Sequence, residues 1–257
     1  MLKLGVLLCA YDCEDLLAKC LSPWINYNDN QNKIIISAVS TQFEDFEFAN
    51  NLKTLEILDK YKSENKIDSI FISNIPLKEH AARNLSLNRL LKLKCDVVLI
   101  WDSDEIISKE DIGNLFNFLE NDKNSANIWY RINYKNLTFD NNHYTLGFDP
   151  ARLFWTNKDN YELQYLFYDN DCLFYYLGDI ISYLNLPFKH VPNCMPVHHS
   201  WNNLERSKKK IDYQIKHFGH GNSNYCSFKF NQEKNCIEFN DEYFLLTGEN
   251  KPDIFEF

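Results

Sequence analysis

The chain has 257 residues, enough for one large domain, and its 45 % hydrophobic and 25 % charged residues sit near globular averages. Only 7 glycines and 7 prolines exclude collagen-like, proline-rich and linker architectures. A formal charge of −9 argues against a nucleic-acid binder, whose phosphate contacts need a basic surface, but allows a local basic pocket for one phosphorylated small molecule.

The apolar run Leu4 to Ala10 reads as a buried first strand rather than the core of a signal peptide, because Asp12, Glu14 and Asp15 follow at once. Asp12 is placed to cap a helix through Leu16, Leu17, Cys20 and Leu21, which Pro23-Trp24 closes. The β-branched stretch Lys33 to Val39 predicts a second strand. Phe48, Leu52, Leu55 and Leu58 recur at helical spacing and predict a helix over Phe46 to Tyr61. Ile67 to Ile72 predicts a third strand, Glu79 to Leu93 a helix, and Asp96 to Trp101 the most apolar strand of the chain. A further helix, capped by Ser108, runs to about Leu119.

Strands that alternate with helices imply βαβ units and a mainly parallel sheet, so the expected class is α/β. In such sheets ligands bind beyond the carboxyl ends of the strands. The second half reads differently. Ile128 to Tyr134 and Arg152 to Trp155 are strand-like, Tyr161 to Tyr183 is aromatic and acidic without clear period, and Leu204 to Phe218 reads as a basic helix. The tail from Tyr225 is weakly patterned. With no repeat and no linker, one domain over 1–257 is expected, its C-terminal half partly antiparallel. No run of about 18 apolar residues predicts a membrane-spanning helix. The 8 cysteines form no C-x-x-C pair and read as reduced thiols of a cytoplasmic protein.

Asp102-Ser103-Asp104-Glu105 follows the most apolar strand directly. Three carboxylates in four residues repel one another unless a cation or partner is near. Asp-x-Asp presents two carboxylates from one tight turn, which suits a hard divalent ion that keeps waters and takes diphosphate oxygens. The bland alternative is a solvated acidic turn. Two chemistries use this arrangement: phosphoryl transfer with an aspartate nucleophile, and glycosyl transfer from a nucleotide-diphospho-sugar. The first wants Gly-Thr or a similar pair after the second Asp, whereas Glu105-Ile106-Ile107 stands here.

The ordered set of Leu4 to Leu17, then Ala82-Arg83-Asn84, then Asp96 to Glu105 resembles the nucleotide-binding half of family 2 glycosyltransferases with the GT-A fold. The resemblance covers about residues 1–120 and thins over 121–257, where Arg152-Leu153-Phe154 and His198-His199-Ser200-Trp201 still look like landmarks. It implies a nucleotide-binding half and an acceptor-side half. It places Ala10, Tyr11 and Asp12 along the nucleoside pocket, and Glu44 or Asp45 at the base or ribose. Arg83, Asn84, Asp102 and Ser103 fall on the nucleotide. The cation, Mn²⁺ or Mg²⁺, falls to Asp102 and Asp104, with His198 or His199 as a late third ligand. Adjacent residues on a strand face opposite ways, so only one of these histidines would reach it. An inverting transfer also needs a general base, for which Asp179 stands first and Asp169 and Asp171 are alternatives.

The resemblance implies a metal-dependent inverting transferase. It would move a sugar from a nucleotide-diphospho-sugar, a UDP-sugar favoured, to a hydroxyl of a glycan or lipid-linked acceptor. The basic run Lys208-Lys209-Lys210 leaves peripheral contact with an anionic lipid-linked acceptor open. The alternatives are an Asp-x-Asp phosphohydrolase and a sugar-nucleotide or glycan-binding module without catalysis.

Overall fold

The computed structural model describes residues 1–27, 31–42, 50–77, 79–124, 129–137, 144–146, 151–156, 163–168, 172–177, 188–199, 228–231, 236–239 and 242–245. Two compact units emerge, one of Met1–Asn133, Asp149–Phe167 and Leu173–Pro196, the other of Tyr134–Phe148, Tyr168–Cys172 and Val197–Phe257.

The first unit opens with β1 (Leu2–Cys9), α1 (Glu14–Ile25), β2 (Asn32–Ser40), α2 (Leu52–Ser63), β3 (Ser69–Ile72), α3 (Glu79–Lys92) and β4 (Val97–Asp102). A short β5 (Glu105–Ile106), α4 (Lys109–Asp122) and β6 (Trp129–Arg131) follow. Next come β7 (Lys135–Leu137), β8 (Tyr144–Leu146), β9 (Ala151–Trp155), β10 (Leu163–Tyr168), β11 (Cys172–Leu177) and β12 (Phe188–His190). The chain continues through β13 (Val197–His198), β14 (Phe228–Asn231), β15 (Cys236–Phe239) and β16 (Glu242–Leu245).

The central sheet has seven strands in the order β12-β6-β9-β4-β1-β2-β3. Strands β1 to β4 are mutually parallel. Strand β9 is inserted antiparallel between β4 and β6, and β12 runs parallel to β6. In the second unit β13 is parallel to β7, β7 is antiparallel to β8, and β14, β15 and β16 form an antiparallel meander. This is the mixed α/β architecture expected from the sequence, with a mainly parallel central sheet flanked by helices and a smaller antiparallel C-terminal sheet.

Strand β1 sits between β2 and β4 because the chain builds outward to β2 and β3, then crosses back to lay β4 on the other side. The carboxyl ends of β1 and β4 therefore diverge into different connections, which opens a crevice between them. Both strands are apolar apart from Lys3 and the terminal Asp102, because helices cover both faces. Period-2 alternation sends Gly5 and Leu7 to one side, where Leu87 and Leu90 of α3 pack with Val98, Ile100 and Phe154. Gly5 is required there: a Cβ on it would meet Cys95 Sγ at 3.0 Å and Leu90 Cδ2 at 3.0 Å. Trp101 points to the opposite side, edge-on to Trp24 of α1 with ring centroids 5.2 Å apart.

Two expectations about α1 change. The helix runs through Pro23 to Ile25. Pro23 lies in the last turn, where it removes a single intrahelical donor, and the buried Trp24 holds that turn against the sheet. Asp12 does not cap it. The N-cap position falls on Cys13, which makes no side-chain cap bond, and Asp12 has φ 49°, outside the extended geometry a capping residue needs. Ser108 does cap α4 as expected: its Oγ accepts the Asp111 N–H at 3.0 Å.

Candidate functional site

The turn after β1 is tied down from its neighbour. Ala10 N–H continues the ladder to Val39 O at 3.0 Å. Asp12 N–H donates to Asn51 Oδ1 at 3.0 Å, and Cys13 N–H donates to Thr54 Oγ1 at 3.0 Å. Asn51 Nδ2 in turn donates to Ser40 Oγ at 2.8 Å, at the end of β2. These bonds offset the left-handed backbone of Asp12, which costs about 1–2 kcal/mol for an L-residue. The carboxyl-bearing side chain of Asp12 is exposed, Tyr11 is half-buried and Ala10 is buried.

Beside it, Cys9 of β1 is in register with Asp102 of β4, and Ser103 N–H donates to Cys9 O at 3.2 Å. The turn following β4 is held from several directions. Arg83 Nη2, from α3, donates to Asp102 Oδ1 at 2.8 Å. Arg152 Nη2, from the adjacent strand β9, donates to Asp102 Oδ2 at 2.8 Å and lies 3.4 Å from Glu105 Oε1. Asp102 N–H donates to Glu105 Oε2 at 3.1 Å, and Trp101 Nε1–H donates to the main-chain oxygen of Glu105 at 3.0 Å. The Cys20 thiol, whose pKa burial raises, stays protonated and donates to the main-chain oxygen of Asp102 at 3.7 Å.

Burial opposes the charge on Asp102, but Arg152 and Arg83 together outweigh it and hold the carboxyl below its ordinary range. Glu105 is fully buried, and its pKa is pushed up to about 8, by burial first and by the charges of Asp102 and Asp104, against the pull of Arg152. At neutral pH the group thus holds two guanidinium charges against the carboxylates of Asp102 and Asp104, with Glu105 protonated. Sequence reasoning missed the part Arg152 plays. Its signal was an arginine opening the apolar run Leu153-Phe154-Trp155, a charge that needs a partner if that strand is buried.

Ala10, Tyr11, Asp12, Arg83, Asp102, Ser103 and Asp104 thus gather around the carboxyl ends of β1 and β4. Arg83 is 5 % exposed, so its pairing is no surface ion pair. Asn84 is half-buried on α3, Ser103 is buried and Asp104 is half-buried in the turn. His198 is buried at the end of β13 and His199 follows it, both in the second unit. Glu44, Asp45, Asp169, Asp171 and Asp179 lie outside the described residues, as does the basic stretch Leu204 to Phe218.

Among the described residues no group of three or more His, Cys, Asp or Glu is placed to hold a metal ion. An all-protein cage is not the only way to hold one. A hard cation that keeps its waters binds through one or two carboxylates plus substrate phosphate oxygens, and the donor set of this turn fits that mode. Asp102 and Asp104 are the two carboxylates of this turn that could take part, Asp102 with each oxygen already accepting one arginine bond.

No protein-family model matches the chain, and no curated protein matches it. Among solved structures, S. aureus TarS 1–349 is 17 % identical over 84 % of this chain and 64 % of its own, with a TM-score of 0.48. The same protein in complex with UDP is 21 % identical over 52 % of this chain and 36 % of its own, with a TM-score of 0.40. GalNAc-T7 with UDP, GalNAc and Mn²⁺ is 12 % identical over 69 % of this chain and 30 % of its own, with a TM-score of 0.42. The chain spans less than two thirds of the length of each.

Proposed function

We propose that this chain is a glycosyltransferase of the GT-A kind that binds a nucleotide-diphospho-sugar, a UDP-sugar first among candidates, beyond the carboxyl ends of β1 and β4. One observation carries the reading. Asp102-Ser103-Asp104-Glu105 ends the central parallel strand at the point where the strand order reverses, held there by the buried Arg83 and the largely covered Arg152. This is where an open α/β sheet receives a ligand.

In this reading Ala10, Tyr11 and Asp12 line the nucleoside, with Glu44 or Asp45 at the base or ribose, and Arg83, Asn84, Asp102 and Ser103 flank the nucleotide. Asp104 would hold the Mn²⁺ or Mg²⁺, with His198 or His199 as a further ligand. The cation supplies neutralisation of the charge that develops on the departing diphosphate. A carboxylate, Asp179 or else Asp169 or Asp171, takes the proton of the acceptor hydroxyl as its oxygen bonds to the anomeric carbon. The bond from that carbon to the diphosphate breaks, its electron pair leaves with the nucleotide, and the configuration inverts. A glycan or lipid-linked hydroxyl is the acceptor class. Among the described residues no helix is long and apolar enough to cross a membrane. The buried thiols Cys13, Cys20, Cys95 and Cys194 fit a reducing, cytoplasmic setting.

The arginine pair also weighs against a phosphohydrolase. An aspartate nucleophile must bring one oxygen in line with phosphorus, and each oxygen of Asp102 already accepts one guanidinium bond, which lowers its nucleophilicity. The test is nucleotide release from UDP-, GDP-, TDP- and CMP-sugars with Mn²⁺, alongside p-nitrophenyl phosphate. Release from one donor, lost in Asp104→Ala, is the expected result. Hydrolysis of the phosphate ester, with no donor used, would transfer the site to the phosphohydrolase class.

A further inference from the structure

Arg152 stands on β9, a strand from the second half of the chain, and reaches across to the turn that closes β4. One nitrogen of its guanidinium lies 2.8 Å from Asp102 Oδ2 and 3.4 Å from Glu105 Oε1. Glu105 Oε2 in turn accepts the main-chain N–H of Asp102. Arg152 therefore touches both residues that bracket Ser103-Asp104. Its side chain is only 12 % exposed and presents little surface to a ligand. Arg83, the second partner of Asp102, comes from α3.

We propose, on the footing of the transferase reading, that Arg152 is a positioning residue. It fixes the backbone of the 102–105 turn through Asp102 and Glu105, and so sets the direction in which Asp104 meets the cation. It touches neither cation nor nucleotide. This follows from the geometry: one guanidinium bridges the residues that open and close the turn, and its charge counters the repulsion between the neighbouring Asp102 and Asp104 side chains. Groups that orient a metal ligand in this way usually alter metal affinity by about 10–100-fold when removed.

A double-mutant cycle tests it, using UDP with Mn²⁺ as the probe and titration calorimetry at a temperature where every variant is folded. Arg152→Gln is expected to weaken Mn²⁺-dependent UDP binding by about 10–100-fold with the stoichiometry unchanged. In the Asp102→Asn background the same substitution is expected to cost clearly less affinity, because the shorter of its two contacts with the turn is gone and only the one to Glu105 is left. A purely structural role lowers the fraction of molecules that bind rather than the affinity of the remainder. Arg152→Lys, which keeps the charge but reaches a single acceptor, is expected to restore part of the affinity. It replaces Arg152→Gln in the cycle if that variant does not fold. Equal losses in both backgrounds, or no recovery with lysine, would overturn the proposal and leave the transferase reading standing. No binding of UDP or of any other nucleotide by the wild type, with or without Mn²⁺, would overturn both.

Discussion

Arg83, Asp102, Arg152 and Glu105 form a charged group in which each member depends on the others. Removing one partner of a buried pair leaves an uncompensated charge, at about 3–5 kcal/mol. Arg83→Met is expected near the lower end, about 3 kcal/mol, because Asp102 keeps Arg152 and some exposure. Urea unfolding measures it. Glu105 makes a separate prediction. Its folded pKa is raised from 4.5 to about 8, so the folded state holds a proton that the unfolded state releases between those values. Its contribution to stability is fully present below 4.5, falls as pH rises through 8 and is flat beyond. Denaturation profiles from pH 5 to 9, recorded with a chelator present, should show this decline in the wild type and lose it in Glu105→Gln. Of these residues, Asp102 and Glu105 were legible from the sequence as parts of an acidic turn directly after an apolar strand. The arginines were harder to read, since the pattern of one strand does not say which distant strand lies beside it.

At the scale of elements, α3 against β1 is the contact that decides where Arg83 stands. Gly5→Val would drive two carbons into Leu90 and Cys95, both already at 3.0 Å from the position of a first one. Overpacking of this kind costs about 1–3 kcal/mol. The same variant is expected to weaken nucleotide binding if α3 shifts, and the two effects are read from one melting series with and without ligand. The cap of α4 gives a smaller test: Ser108→Ala removes the bond to Asp111 N–H and should cost about 1 kcal/mol. Alternating strand and helix signals in the first half were read correctly, because each buried strand is short, apolar and followed by a 3.6-period segment. The reading failed at Asp12, where a plausible capping residue instead takes a left-handed turn. That turn is set by Asn51 and Thr54, which lie about forty residues further along the chain. It failed again over Tyr161 to Tyr183, whose aromatic run gives no period, although β10 and β11 form a two-stranded sheet within it.

At the scale of the molecule, the order β3-β2-β1-β4 places the reversal of strand order at the middle of the sheet, and Asp102, Asp104 and Glu105 stand beside it. The antiparallel entry of β9 was not legible, since parallel and antiparallel neighbours are equally compatible with a short apolar run such as Leu153-Phe154-Trp155. Yet this strand brings Arg152 to the turn, so the second half of the chain helps to hold a turn that the first half supplies.

The measurement that bears most directly on this account is thermal stabilisation by UDP, GDP, CMP and TDP, each with and without Mn²⁺, on the wild type and on Asp104→Ala. A ligand that binds only the folded state raises the melting temperature by mass action. The account predicts a shift with one nucleotide, UDP first among them, that requires Mn²⁺ and disappears in Asp104→Ala. No shift with any nucleotide, or a shift that is indifferent to both Mn²⁺ and Asp104, would contradict it.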